Sequence, residues 1–133
     1  MKKLSLEDNG YCFVCGSKNP HGLHLVFRSQ DGKISAEFVP QKSCQGFKDL
    51  VHGGIISCVL DEAMMKAVLS QGMEAVTVEL IVRLQNPLYV GNRALIEAEI
   101  KKTGNRLIET AARIRKEGGT VVAEAKAKLL RYV

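Results

Sequence analysis

The chain of 133 residues has the length of one domain, and we expect residues 1–133 to bury a single core. Hydrophobic residues make up 46% and charged residues 25% of the sequence. No apolar run approaches the roughly eighteen residues of a membrane-spanning helix, and the N-terminus lacks a signal peptide's apolar core. The sequence therefore predicts a cytoplasmic protein without a membrane segment.

The formal net charge is +5, and the lysines and arginines are dispersed along the chain. Three tyrosines, four phenylalanines and no tryptophan leave few side chains to stack on bases, so we expect no nucleic-acid partner. The positive charges suit a small polyphosphate ligand such as a nucleotide or coenzyme A. A solvated surface of mixed charge explains them equally well.

The N-terminal region contains a Cys-x-x-Cys pair, Cys12 and Cys15, followed by His21 and His24. These four residues make a Cys2His2 zinc site conceivable, but the histidines follow too closely for a zinc finger. We therefore predict no metal and treat the segment as one with reduced thiols. A zinc-bearing interaction protein remains an alternative hypothesis.

The first half of the chain predicts a lead-in and a hairpin. Residues 1–20 are expected to be an extended lead-in that ends at Asn19-Pro20. Residues 22–28 and 33–39 read as strands joined at Asp31-Gly32, a strong hairpin signal. Residues 40–50 lack periodicity and are expected to form a loop.

A long helix is predicted from Gly54 to about Ser70, with Gly72 as its stop. Its apolar residues recur at spacings of three and four: Ile56, Leu60, Ala63, Met64 and Ala67. Four strands are then expected, at residues 76–84, 93–101, 106–116 and 120–131. The short breaks between them predict three successive antiparallel hairpins. In the first of these strands, alternate residues from Val76 to Leu84 are all aliphatic, with Thr77 on the opposite parity.

This order of elements predicts an α+β protein with the hotdog fold. A single long helix can bury its apolar face by lying across a curved antiparallel sheet of about six strands. An isolated copy would leave one edge of the sheet open, so we expect a homodimer or a homotetramer.

Two adjacent carboxylates in the predicted helix face different surroundings. On a helical wheel, Asp61 lies on the flank of the apolar face, where aspartate is costly to desolvate. Glu62 lies opposite the core and has Lys66 four residues later, so it is interpreted as a surface charge. Asp61 is therefore the candidate for chemistry.

Gly53 and Gly54 stand where this helix begins. The first amide N–H groups of a helix lack carbonyl partners, and the helix dipole favours negative charge there. Glycine also lets a substrate carbonyl approach the backbone closely. An oxyanion site is one interpretation, and a tight turn without a ligand is the other.

Three segments together resemble the hotdog-fold acyl-CoA thioesterases, especially the phenylacetate-degradation-type branch. They are CFVCGSKNPHGLHLVF (residues 12–27), VHGGIISCVLDE (51–62) and AVTVELIVRLQNPLYVGN (75–92). The resemblance implies hydrolysis of an acyl-CoA thioester to a carboxylic acid and coenzyme A, with no cofactor beyond the coenzyme A of the substrate. It also implies an active site shared by two subunits.

The resemblance assigns roles to individual residues. Asp61 becomes the nucleophile or general base, and the Gly53 amide polarises the thioester carbonyl with Gly54 beside it. His52 is implied to shape the turn, and Thr77 to position the attacking water.

The resemblance also implies candidate residues for binding the substrate. Related enzymes often carry asparagine or glutamine where this chain has Gly46, and the adjacent Gln45 is a candidate substitute. Asn105 and Arg106 are candidates for the coenzyme A phosphates, with a solvated hairpin as the alternative. A non-catalytic acyl-CoA-binding protein remains the second hypothesis for the whole chain, and a hotdog dehydratase is less favoured.

Overall fold

In a computed structural model that describes residues 4–132, those residues form one long helix and six strands. The elements, in chain order, are β1 Arg28–Gln30, β2 Lys33–Phe38, a 3-10 turn Lys42–Cys44, α1 Gly53–Leu69, β3 Glu74–Leu84, β4 Ala94–Thr103, β5 Leu107–Lys116 and β6 Val121–Tyr132. The helix and the last three strands lie within one or two residues of their predicted positions.

The strands form one antiparallel sheet in the order β1-β2-β4-β5-β6-β3, and α1 packs against one face of it. The apolar stripe of α1 is fully buried, with Leu60, Ala63, Met64 and Ala67 at 0% exposure. The predicted α+β hotdog fold, a curved sheet around one helix, is confirmed. Among the described residues, no helix combines the length and apolar character needed to cross a membrane.

Two predicted features of the strands are wrong. β3 does not form a hairpin with β4, because it pairs with β6 at the opposite edge while β4 pairs with β2. The residues between β3 and β4 pass the start of the helix instead, where Leu88 is buried and its carbonyl accepts the amide N–H of Val51. The first predicted strand, residues 22–28, contributes only Arg28 to β1.

The lead-in is compact rather than extended from Cys12 onward; residues 1–3 lie outside the described part. The amide N–H of Gly16 donates to the Cys12 carbonyl at 2.8 Å, which closes a tight turn. The amides of Leu23 and Leu25 then donate to the carbonyls of Phe13 and Val14, so residues 23–25 pair with the lead-in instead of the sheet. This folded segment reaches α1, where Cys12 contacts Glu62.

A β-bulge in β3 changes which side chains face the helix. Thr77 pairs with Leu129 and Glu79 pairs with Lys128, which leaves Val78 as the extra residue. Thr77 therefore shares the inner face with the fully buried Leu129, although it belongs to the opposite parity from the aliphatic residues after the bulge. The unbroken alternation expected from residue 76 to 84 is wrong for this reason.

β3 is one of the two edge strands of the sheet, and its apolar side chains are only partly covered. Ile81 is 58% exposed and Leu84 is 55% exposed. A long edge strand of this kind presents unpaired backbone groups to a further strand.

Candidate active site

The helix begins at a histidine cap. The amide N–H of Gly54 donates to Nδ1 of His52 at 2.8 Å, and the amides of Ile55 and Ile56 donate to the His52 carbonyl. Within residues 4–132, the amide N–H of Gly53 has no hydrogen-bond acceptor. The turn thus leaves one amide, that of Gly53, free at the positive end of the helix dipole.

The same geometry separates the roles predicted for His52, Gly53 and Gly54. His52 accepts a hydrogen bond through Nδ1, so its ring orders the turn. The Gly54 amide is already engaged with that ring and does not point to a ligand. Of the two glycines, Gly53 is the one whose amide suits a developing oxyanion.

A small cleft lies beside Gly53, between the start of the helix and the end of β3. A Cβ atom on Gly53 would stand 2.9 Å from Cδ1 of Leu84, so this position is closely packed against β3. The cleft has a volume of about 260 Å³ and is lined mainly by apolar residues: Leu50, Val51, Ile56, Leu84, Pro87 and Leu88, with Gln85 and Asn86. It offers apolar surface directly next to the free amide.

Asp61 lies two turns further along the helix, half-buried, and contacts β3. Oγ1 of Thr77 donates to Oδ1 of Asp61 at 2.8 Å. This contact depends on the bulge at Val78, which turns Thr77 toward the helix. The structure therefore brings Asp61 and Thr77 together, two residues that the sequence singled out separately.

The carboxylate of Asp61 also acts on a neighbouring thiol. The pKa of Cys58 is raised above its ordinary value of 9.0, first by burial and then by the negative charges of Asp61 and Glu62. One turn before Asp61, Oγ of Ser57 donates to the Gly53 carbonyl at 2.9 Å. Ser57 thereby stabilises the first turn of the helix, a contact that no sequence pattern indicated.

Gly53 and Asp61 of one chain are too far apart to act on the same carbonyl. Eight residues of α-helix separate them by about 12 Å along the axis, whereas reacting groups must approach to about 3 Å. If both groups act on one thioester carbonyl, the amide and the carboxylate must therefore come from different chains.

Gln45 and Gly46 lie in the loop before the helix. Oε1 of Gln45 accepts the amide N–H of Asp49 at 2.8 Å, so half of its amide group already holds the loop. A Cβ atom on Gly46 would stand 3.3 Å from Cα of His52, which makes any larger side chain a tight fit there. A side chain at position 46 would therefore crowd the capping histidine.

Asn105 and Arg106 are exposed on the turn between β4 and β5. Within the described part of the chain, neither side chain makes a hydrogen bond or an ion pair, and neither contacts Asp61. They are free to meet a ligand but are not part of the cluster around the carboxylate.

The interpretation of Glu62 as a surface charge is wrong. Glu62 is half-buried, and Sγ of Cys12 donates to its Oε2 at 2.8 Å. Burial and then this hydrogen bond raise the pKa of Cys12 to about 11. The prediction failed because the lead-in, fifty residues earlier in the chain, folds back over the helix and covers Glu62. The Cys-x-x-Cys pair was the one feature of the sequence that indicated a polar contact in the lead-in.

Lys66 belongs to the same group of side chains. Burial lowers its pKa, but Cys15, Glu62 and Cys12 together outweigh that effect and raise the pKa above 10.5. The predicted proximity of Glu62 and Lys66 therefore stands, within a partly buried cluster instead of on an open surface.

The chain belongs to the thioesterase superfamily, whose family model matches residues 49–123, more than half of its length. That match covers the capped helix start, Asp61 and the strand that carries Thr77. The resemblance inferred from the three sequence segments is confirmed at the level of the superfamily and its fold.

Individual relatives are distant. The chain is 24% identical over 101 residues to the acyl-coenzyme A thioesterase THEM5 of Mus musculus, covering 76% of this chain and 37% of that protein. It thus spans little more than a third of that relative's length.

Solved structures share the fold closely. The PaaI protein of the E. coli phenylacetic acid degradation operon has a TM-score of 0.77 at 22% identity, covering 82% of this chain and 84% of that one. A hypothetical thioesterase from Streptococcus pneumoniae, solved with coenzyme A, has a TM-score of 0.78 at 17% identity and covers 81% and 85%. At these identities the likeness establishes the fold alone.

Proposed function

We propose that the protein is an acyl-CoA thioesterase, with Asp61 as nucleophile or general base and the Gly53 amide as the group that polarises the carbonyl. Water and the thioester yield a carboxylic acid and coenzyme A, and the sulfur leaves with the proton that the water loses. Neither the attack of water on the carbonyl nor the departure of the sulfur requires a metal or a further cofactor.

The observation that carries the proposal is the hydrogen bond from Thr77 to Asp61. It holds a half-buried carboxylate in one orientation, with Oδ1 occupied and Oδ2 left for a water molecule or a carbonyl carbon. Thr77 retains lone pairs on Oγ1 that can accept a hydrogen bond from the same water. The pair therefore combines a base with a positioning hydroxyl.

A distant structural neighbour supports this pair. Alanine variants of the Streptococcus pneumoniae thioesterase have been solved at an aspartate and at a threonine. These two residues lie sixteen apart in that chain, the same separation as between Asp61 and Thr77 here. The coenzyme A in another structure of that protein supports the substrate class.

The proposal includes a homodimer or a dimer of dimers, acting in the cytoplasm. The exposed edge of β3 would continue the sheet into a second copy, which would bring a partner carboxylate toward the free Gly53 amide. Arg106 and Asn105 would then meet the coenzyme A phosphates at the rim.

A second candidate, a non-catalytic acyl-CoA-binding protein, is favoured by one observation. Gly46 supplies no side-chain amide where related enzymes often have one, and Gln45 has half of its amide engaged. Binding without turnover would then be the activity.

A thiol-release screen over short-chain, aromatic and long-chain acyl-CoAs tests the proposal against that alternative. We expect release of free coenzyme A from at least one class. Thermal stabilisation by an acyl-CoA without release from any class would favour the binding protein.

Hybrid dimers test whether the site is shared. Asp61→Asn and Gly53→Val chains, each inactive alone, are mixed, unfolded and refolded together. If the carboxylate and the amide come from opposite chains, half of the dimers are hybrids with one intact site of two, and about a quarter of wild-type activity returns. Hybrids verified by mass spectrometry but without activity would contradict a shared site and leave the hydrolysis itself standing.

A further inference from the structure

The contact between the lead-in and the helix forms a group of potential metal ligands that the proposed hydrolysis does not use. Sγ of Cys12, Sγ of Cys15 and a carboxylate oxygen of Glu62 all lie within 4.8 Å of one another. Each of these residues is half-buried. We call this group the Cys12–Cys15–Glu62 cluster.

The turn that carries the two cysteines is constrained in the way a metal-binding knuckle requires. The Gly16 amide closes the turn on the Cys12 carbonyl, and a Cβ atom on Gly16 would stand 2.4 Å from the Cys12 nitrogen. Burial and the hydrogen bond to Glu62 raise the pKa of Cys12, and the backbone amides of Cys15 and Val14 act against that rise. Amide donors of this kind stabilise a thiolate and fix the orientation of a ligand, as outer-shell groups do around zinc.

We propose that the Cys12–Cys15–Glu62 cluster binds one Zn²⁺ ion, which joins the lead-in to the central helix. Zn–S distances of about 2.3 Å and Zn–O distances of about 2.0–2.2 Å place tetrahedral ligands roughly 3.6–3.8 Å apart. The present separations run from 2.8 Å, between Cys12 and Glu62, to no more than 4.8 Å. Small side-chain rotations therefore suffice to centre the three ligands on a metal.

The charges of the cluster also suit a divalent cation. Two thiolates and one carboxylate carry three negative charges, and Zn²⁺ leaves one of them uncompensated. Lys66, whose side chain is hydrogen-bonded to Cys15, supplies the balancing positive charge. The Cys12 thiol donates its proton to Glu62, and a cation bound between the two groups would take the place of that proton. Binding of the metal releases the protons of the ligand thiols to solvent.

The histidines that follow the cysteines are not part of the cluster. Nε2 of His24 lies 2.6 Å from the Asn19 carbonyl, and the amide of His21 donates to Oδ1 of the same asparagine. The fourth tetrahedral position is therefore open to a water molecule or to an added thiol. The cluster uses Glu62, whereas the proposed reaction uses Asp61, so the metal would stabilise the fold next to the reaction site without entering the reaction.

Metal analysis of the intact protein tests the proposal. The chain is produced with zinc in the growth medium, purified without chelator and analysed by mass spectrometry of the metal. We expect about one zinc per chain, and less than about a tenth in the Cys12→Ser/Cys15→Ser double variant. Glu62→Gln removes one of the three protein ligands and should leave less zinc bound than in the wild type.

Matched controls separate this cluster from the other thiols and from the histidines. Cys58→Ser removes a half-buried thiol of the same helix outside the cluster, and His21→Ala/His24→Ala removes the other pair of potential ligands. Each control should keep its zinc. Zinc retained by the Cys12→Ser/Cys15→Ser variant, or lost from the histidine variant, would overturn the assigned ligands.

A second measurement on the wild-type chain does not depend on variants that fold. After removal of the metal with a chelator, titration with Co²⁺ should produce the thiolate-to-metal charge-transfer absorption of two cysteine ligands. Less than about a tenth of a zinc per chain together with no such absorption would overturn the proposal. So would a Cys12–Cys15 disulfide in protein kept under reducing conditions, which would make the pair a redox element.

Discussion

The two carboxylates Asp61 and Glu62 are neighbours in one helix and both half-buried, yet they meet different parts of the chain. Asp61 faces β3 and accepts a hydrogen bond from Thr77, whereas Glu62 faces the lead-in and accepts one from Cys12. A step of one residue turns the side chain by about 100° around the axis. Burial alone therefore does not distinguish the two carboxylates, whereas the element that each one faces does.

The largest expected effect is on hydrolysis. Asp61→Asn preserves the shape of the side chain and removes the base, so turnover should fall by about 10²–10⁴-fold, the usual contribution of such a group. Glu62→Gln is the matched control on the adjacent residue and should keep its turnover within a fewfold range. Steady-state thiol release on both purified variants measures the contrast. Equal losses of turnover in the two variants would contradict the assignment of the reaction to Asp61 alone.

Thr77→Val should reduce turnover by about tenfold, because it removes the hydrogen bond that orients Asp61 while preserving side-chain volume. Thr77→Ser keeps the hydroxyl and should retain most of the activity. Comparing kcat and KM for both variants decides whether the hydroxyl acts in the reaction or in binding. Full activity of Thr77→Val would remove Thr77 from the mechanism.

Much of the fold follows from local sequence patterns, and the contacts that define the site follow from them only in part. The three- and four-residue spacing located the helix, and the position of Asp61 on its flank marked it for chemistry. Thr77 entered the site through a bulge at Val78, which nothing in a smooth alternation of aliphatic residues indicates. The partner of Glu62 stands fifty residues away in an irregular segment, so no local periodicity could reveal it.

The same limit explains the error in strand order. Short connections made a hairpin between β3 and β4 the simplest expectation, yet the sheet places them apart because β3 pairs with β6. The connection instead buries Leu88 beside the helix start, and this packing is a long-range effect. Local patterns thus locate the elements, whereas tertiary packing decides which of them are neighbours.

His52 caps the helix that carries Asp61, and we expect it to contribute to stability. His52→Ala should lower the free energy of unfolding by about 1 kcal/mol, the usual effect of losing an N-cap. His52→Asn should restore most of that stability, since asparagine caps well. Chemical denaturation measures both values. If His52 were a catalytic base, the asparagine variant would regain its stability and still lose activity.

The smallest effect uses Cys58 to compare the two carboxylates directly. Both negative charges raise the pKa of the Cys58 thiol, and that of Asp61 acts more strongly than that of Glu62. Asp61→Asn should therefore lower this pKa further than Glu62→Gln does, as measured by the pH dependence of Cys58 alkylation in a peptide-resolved assay. Since the folded pKa lies above 9.0, the neutral thiol adds stability that is complete below pH 9.0 and is lost as the pH rises through the folded value. A larger decrease of the Cys58 pKa in Glu62→Gln than in Asp61→Asn would contradict this order. It would mean that Glu62 acts more strongly on Cys58 than Asp61 does.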